Sequence, residues 1–291
     1  MHQVVQPHFT VPGTDLSVMY HGTFEGPRWS DGQLADQEGE RCYPVEDGIP
    51  VFVPPEDQTW PQSEIDKWDV TEEWIGRKME QYRNGELYSW AYPPVRADYC
   101  RQMAASGGLI LELATGPDGG NMPFALLHNP EAVILANELG HNVLKAWRAH
   151  QKQSQFAPNL SFACFDASEM PLGTGSIDII SSNGVFTEIR RTGAALREAY
   201  RVLKRGGAMY LFEYPVVPET AARLPQNLKR QFGFPKKEHA DLMTAAGFDV
   251  VSVDRCSEIS MPAEWGSLPE AAAQHGVTLK VQVLAIQGRK A

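Results

Sequence analysis

The sequence predicts an α/β protein whose mostly parallel sheet of seven strands carries helices on both faces. Three observations predict it. From Leu109 onward, short apolar runs alternate with segments of helical periodicity as far as the C-terminus. The runs are continuously apolar, the pattern of strands buried on both faces. A chain of 291 residues that is 43% hydrophobic holds enough apolar material for one large domain and a smaller appendage.

The first 60 residues are rich in Gly, Pro and acidic residues, with strand-like pieces around 16–20 and 50–53. Asp47-Gly48 is a tight-turn dipeptide between short strands, and Pro54-Pro55 breaks the chain after them. Residues 61–106 turn helical and aromatic, with Trp68, Trp74, Tyr82, Tyr88, Trp90, Tyr92 and Tyr99. They form either a collar packed on the main domain or a lid whose rings cover a ligand. Strands follow at Leu109–Leu113, 132–136, 160–165, 177–181, 208–212 and 248–253, and Val277, Leu279, Val281 and Val283 alternate along a final one. Between them lie helices near 123–128 and through Val143, Trp147 and His150. Leu196, Ala199, Tyr200 and Leu203 mark another, which Gly206-Gly207 is expected to close. The last spans 236–246 and stops at Gly247. The expected units are therefore 1–60, 61–106 and 107–291.

The formal net charge of −10 argues against a protein that tracks a nucleic-acid backbone. No apolar run reaches the roughly 18 residues of a membrane span, and the N-terminus lacks a basic start with an apolar run, so a cytoplasmic protein is expected. Cys42, Cys100, Cys164 and Cys256 stand alone without a CxxC pair, which fits reduced thiols and no zinc site.

The first strand runs into LELATGPDGG (111–120). In a doubly wound sheet, ligands sit at the carboxyl ends of the strands, and a glycine-bearing turn there lets the backbone approach a ligand closely. Glu138 ends the second strand, where a carboxylate accepts from ribose hydroxyls. Asp166 ends the third, where it can accept from the exocyclic amine of adenine. SIDIISSN (176–183) carries the fourth strand to Asn183. Together these polar strand ends outline a nucleoside-shaped groove.

Residues 109–213, with ALREAYRVLKRGG (195–207) and MTAAGF (243–248), resemble the class I S-adenosylmethionine-dependent methyltransferases, in particular the ubiquinone-biosynthesis-like small-molecule group. The resemblance implies a Rossmann-like fold and S-adenosyl-L-methionine as cofactor. It implies that Glu112, Ala114 and Gly116 line the methionine moiety, that Glu138 holds the ribose, Asp166 and Ala167 the adenine, and that Asn183 lies near the sulfonium. The family usually has glycine where this chain has Ala114, a mild change. It often has glycine at Asp118 too, whose charge would face the cofactor carboxylate unless it points away. RCYPVEDGIPVF (41–52) resembles a small zinc-ribbon-like domain found with some methyltransferases. Only Cys42 of the usual ligands is present, so a metal-free packing or interaction module is expected.

Methyl transfer from a sulfonium mainly requires alignment of the acceptor with the C–S bond, and a base only where the acceptor loses a proton. Glu188, Glu213 and Tyr214, after the fourth and fifth strands, are the catalytic candidates, with Thr187 beside them; His141 and His239 read as surface histidines. The irregular segments 215–235 (Leu224, Leu228, Phe232, Phe234) and 255–276 (Met261, Trp265), with the aromatic stretch, are expected to roof an apolar pocket. A small-molecule acceptor with an O, N, S or C nucleophile is the reading. An RNA methyltransferase and a non-catalytic cofactor-binding partner protein are the alternatives, and a homo-oligomer stays open.

Overall fold

The computed structural model describes residues 1, 4–53, 70–86, 93–154, 156–186, 189, 191–231, 238–265 and 267–291. Its first strands are β1 (Met19–Glu25), β2 (Arg28–Ala35), β3 (Cys42–Glu46) and β4 (Ile49–Pro50), an antiparallel sheet in that order. The predicted turn joins β3 to β4: Asp47 and Gly48 take φ of 49° and 75°, the left-handed pair that suits a two-residue hairpin. Helices α1 (Glu72–Arg83) and α2 (Pro94–Ala105) then lead to β5 (Leu109–Leu113), buried at every position.

After β5 come α3 (Met122–His128), β6 (Val133–Glu138), α4 (His141–Ser154), β7 (Leu160–Cys164) and β8 (Ile177–Asn183). Then follow α5 (Thr192–Val202), β9 (Leu203–Glu213), α6 (Pro218–Arg223), α7 (Gln226–Gln231), α8 (His239–Ala246), β10 (Asp249–Met261), α9 (Ser267–Gln274) and β11 (Leu279–Arg289). The seven-stranded sheet runs β10-β11-β9-β8-β5-β6-β7. β11 is antiparallel to both its neighbours, and the pairs among β9, β8, β5, β6 and β7 are parallel. Strand order reverses between β5 and β8, the switch point beside which ligands bind in such sheets. One face is covered by α1 to α4 and the other by α5, α8 and the N-terminal sheet.

The N-terminal sheet is fixed to the main one. Phe9, Trp29, Leu34 and Val45 share a core with Leu111, Phe165 and Met170. Val51 bridges Cys164, and the Phe52 N–H donates to the Cys164 carbonyl at 2.9 Å, so the outer edge of β7 is paired instead of open. It holds one cysteine, Cys42, which is exposed.

Two boundaries differ from expectation. α5 ends at Val202, because Leu203 is already extended (φ −69°, ψ 136°) and pairs with Ile177. Gly206, with φ 76°, sits inside β9 and donates to the Lys290 carbonyl at 2.7 Å. Gly247, by contrast, caps α8 in the left-handed conformation, as predicted. Segment 255–276 is not an open loop: its first residues extend β10, and α9 fills much of the rest. Among the described residues, no helix is long and apolar enough to cross a membrane.

Candidate cofactor and acceptor site

The turn after β5 is held by specific close approaches. Ala114 has φ 51°, a left-handed value that is strained for an L-residue, and its N–H donates to Asn137 Oδ1 at 3.3 Å. The Gly116 N–H donates to Glu138 Oε2 at 2.8 Å, while its carbonyl accepts from Trp147 Nε1 at 3.2 Å. A Cβ on Gly119 would lie 2.7 Å from the Trp147 ring, and one on Gly120 would overlap the Glu112 carboxylate, so neither position admits a side chain. A Cβ on Gly116 would meet nothing within 4 Å, which leaves the turn open on that side.

Three predicted carboxylates stand at the ends of β5, β6 and β7. Glu112 is fully buried, and its Oε1 accepts the Asn121 N–H at 2.8 Å. Ser181 lies beside it and helps to stabilise the charged form, and among the described residues no donor meets Oε2 at closer hydrogen-bond geometry. Burial pushes its pKa up to about 7, opposed by Asn121, Ser181 and the charge of Arg96. Glu138 accepts from three backbone N–H groups: Gly116 at 2.8 Å, Leu139 at 2.7 Å and Gly140 at 3.4 Å. Burial raises its pKa against those bonds. Asp166 Oδ1 accepts from the Ser168 N–H and hydroxyl at 2.7 and 2.6 Å, and Oδ2 pairs with Arg191 at 3.2 Å. Ala167 beside it is buried.

On the acceptor side, Asn183 ends β8 and its Oδ1 accepts from the Tyr214 hydroxyl at 3.3 Å. Burial raises the Tyr214 pKa. Glu213 does not face the groove mouth as a free acid. It is fully buried, and its Oε1 accepts the Val185 and Phe186 N–H groups at 3.1 and 3.0 Å, which pins the turn after Asn183. Thr187 and Glu188 lie outside the described residues, as do Trp68, Tyr88, Trp90, Tyr92, Phe232 and Phe234. His239 is not a surface histidine: it is 1% exposed, and burial lowers its pKa. Leu224 and Leu228 do not line an open pocket but pack with Val277, Leu279 and Val281 in a small third core.

Two aromatic residues of the 61–106 segment are placed by their contacts. Tyr99 is a collar residue, 4.7 Å from the Tyr210 ring and hydrogen-bonded to Ser252. Tyr82 reaches the glycine turn, with its ring 4.8 Å from Phe124 and its hydroxyl donating to the Asp118 carbonyl at 3.2 Å. The Asp118 side chain pairs with Lys78 at 3.3 Å.

Sequence reasoning missed Asn121 and Arg96. The Arg96 Nε donates to Asn121 Oδ1 at 2.7 Å, and Asn121 Nδ2 donates to Ser181 Oγ at 2.9 Å across the switch point. A signal existed in the chain. The buried residues of α2 are Arg96, Tyr99, Cys100, Met103 and Ala104, so Arg96 occupies an apolar-stripe position.

Residues 111–211 match the methyltransferase domain family. The ubiquinone/menaquinone biosynthesis C-methyltransferase of Cereibacter sphaeroides is 28% identical over 153 residues, 52% of this chain and 56% of that protein. That of Rhizobium johnstonii is 29% identical over 113 residues, 38% of this chain and 43% of that one. The chain thus spans about half the length of the curated relatives it matches. Among solved structures, the BH2331 protein of Bacillus halodurans C-125 superposes with a TM-score of 0.53 at 17% identity, covering 67% of this chain and 98% of that one. Geranyl diphosphate C-methyltransferase from Streptomyces coelicolor A3(2), in a complex with S-adenosyl-L-homocysteine, gives 0.51 at 11% identity, covering 68% and 79%. The four-stranded N-terminal sheet lies outside the matched residues, and among the described residues no group of three or more His, Cys, Asp or Glu is placed to hold a metal. Residues 111–211 of the chain thus match the methyltransferase domain family, and they lie within a seven-stranded sheet of Rossmann-like topology.

Proposed function

We propose that the protein transfers a methyl group from S-adenosylmethionine to a small-molecule acceptor, in the cytoplasm, at the carboxyl ends of β5 to β9. The observation that carries this reading is the convergence of the open turn at Gly116 with Glu112, Glu138, Asp166 and Asn183 beside one switch point. The residues fit an adenosyl sulfonium compound. Glu112 brings a buried carboxylate oxygen, without a close donor among the described residues, toward the cationic methionine end. Glu138, with about four lone-pair sites and three taken, keeps one for a ribose hydroxyl; a second hydroxyl requires release of one turn N–H. Asp166 and Ala167 meet the adenine. Tyr82 on α1 reaches the turn, its hydroxyl donating to the Asp118 carbonyl.

When bound, the sulfonium supplies an electrophilic methyl group. The chain's own residues align the acceptor and exclude water. Tyr214, protonated and half-buried, donates its one hydroxyl proton to Asn183 Oδ1, so its oxygen can accept a hydrogen bond from a hydroxyl or amine of the acceptor. Glu213 positions the turn that carries Asn183, and Glu188 is the candidate group for taking a proton where the acceptor must lose one. Because the curated relatives are named C-methyltransferases, carbon acceptors are the first class to test.

Calorimetric titration with S-adenosylhomocysteine tests the cofactor part, and a binding isotherm with one site per chain is expected. No uptake of either cofactor form sinks the reading. Transfer of label from methyl-labelled cofactor to RNA, but to no quinol, phenol or amine in a panel, sinks the small-molecule part.

A further inference from the structure

Arg96 lies in α2, outside the residues that match the methyltransferase domain. It is 4% exposed, and its guanidinium sits between two rings, 5.0 Å from the centre of Phe124 and 5.1 Å from that of Phe212. Its Nε donates to Asn121 Oδ1 at 2.7 Å and its Nη2 to the Gly120 carbonyl at 2.9 Å. Asn121 passes the contact on, its N–H reaching Glu112 Oε1 at 2.8 Å. A buried guanidinium is costly to maintain without counter-charge and hydrogen bonds, and packing alone is met more readily by an apolar side chain. Among the described residues, Glu112 at the end of β5, Tyr82 on α1 and Tyr214 after β9 feel its charge. The other polar neighbours of Glu112, Asn121 in the turn and Ser181 on β8, are uncharged.

We propose that Arg96 is a positioning residue for the adenosyl cofactor: it clamps the Gly120–Asn121 turn and sets the charge balance around Glu112, through which the cofactor cation is held. The inference rests on the cofactor reading above. A proton on Glu112 competes with that cation, so cofactor affinity rises with pH as Glu112 ionises. Arg96 draws the ionisation to lower pH; without it, the midpoint moves up. A residue that only packs α2 against Phe124 and Phe212 leaves the midpoint where it was.

The test is the dissociation constant of S-adenosylhomocysteine, measured by calorimetry from about pH 5.5 to 9 on the full chain and on Arg96→Met, Arg96→Lys and Glu112→Gln. The unaltered chain should bind more tightly as pH rises through the Glu112 ionisation. Arg96→Met should bind about tenfold or more weakly near neutrality, with its midpoint moved to higher pH. Arg96→Lys should keep the midpoint but bind several-fold more weakly, because an ammonium does not reproduce the planar fork that meets Asn121 and Gly120 together. Glu112→Gln should give a flat profile. A uniform weakening of Arg96→Met with an unmoved midpoint overturns the proposal. Where Arg96→Met does not fold, Arg96→Lys with unaltered affinity, or Glu112→Gln with a retained midpoint, overturns it equally. Absence of uptake by the unaltered chain overturns the cofactor reading itself, a result separable from all of these.

Discussion

Replacing Glu112 with Gln separates what this carboxylate costs the fold from what it offers a ligand. In the unfolded chain the group ionises near 4.5, and in the folded protein burial pushes it up to about 7. Between those values the unfolded state has released a proton that the folded state still holds, so stability falls as pH rises through that window. At 1.36 kcal/mol per pH unit, the loss reaches about 3 kcal/mol and persists at higher pH. Gln keeps an acceptor for the Asn121 N–H and an amide that Ser181 Oγ can receive, without a charge to desolvate. Glu112→Gln should therefore be the more stable protein at pH 8.5, by up to about 3 kcal/mol, with the gap closing toward pH 4.5. Urea unfolding at pH 5 and pH 8.5 measures it, provided the denaturant slopes agree. A gap of equal size at both pH values, or an unaltered chain that is the more stable one at pH 8.5, refutes the reasoning.

Three further changes probe the site. Ala114→Gly removes a left-handed alanine and should raise stability by about 0.5–1 kcal/mol in the same unfolding assay, part of the strain relief being offset by the freer unfolded chain. Glu138→Ala leaves the Gly116, Leu139 and Gly140 N–H groups without their acceptor, and should weaken S-adenosylhomocysteine binding at least tenfold, at about 1.5–3 kcal/mol per charge-assisted bond, read by calorimetry. Tyr214→Phe removes the hydroxyl bonded to Asn183; methyl transfer should slow by about tenfold or more while the cofactor dissociation constant changes less than about twofold, as expected of a group used on the acceptor side.

The parallel sheet was legible because its strands are buried on both faces and read as unbroken apolar runs, and the strand-end acids Glu112, Glu138 and Asp166 were legible because they interrupt or end those runs. Element ends were less so. Gly206-Gly207 looks like a helix stop, but Leu203 pairs with Ile177 before the glycines are reached, and tertiary pairing decides the boundary. His239 sits in a polar stretch, Glu-His-Ala-Asp, and it is buried in the fold, where α8 docks against α5 and β10. Glu213 reads as an acid aimed at the groove. Its actual partners are the N–H groups of Val185 and Phe186, more than 25 residues earlier in the chain, a proximity that no local pattern encodes.

The same physics explains why the most consequential miss was a cation. A buried arginine violates the apolar stripe of its helix, and pattern reasoning treats a charged residue among aromatics as solvent-facing. Here the charge is absorbed by two rings, a backbone carbonyl and an asparagine that leads to Glu112. A buried acid lacking a close donor on one oxygen among the described residues, and a buried base tied to it through Asn121, are each unfavourable alone, and they occur together at the point where the sheet changes direction. Neither group is needed to build a parallel sheet, which apolar residues build more cheaply. On the cofactor reading proposed above, a ligand that carries both a cation and hydrogen-bonding groups accounts for their joint presence beside the glycine turn, and it makes Arg96 of α2 part of the binding site's support.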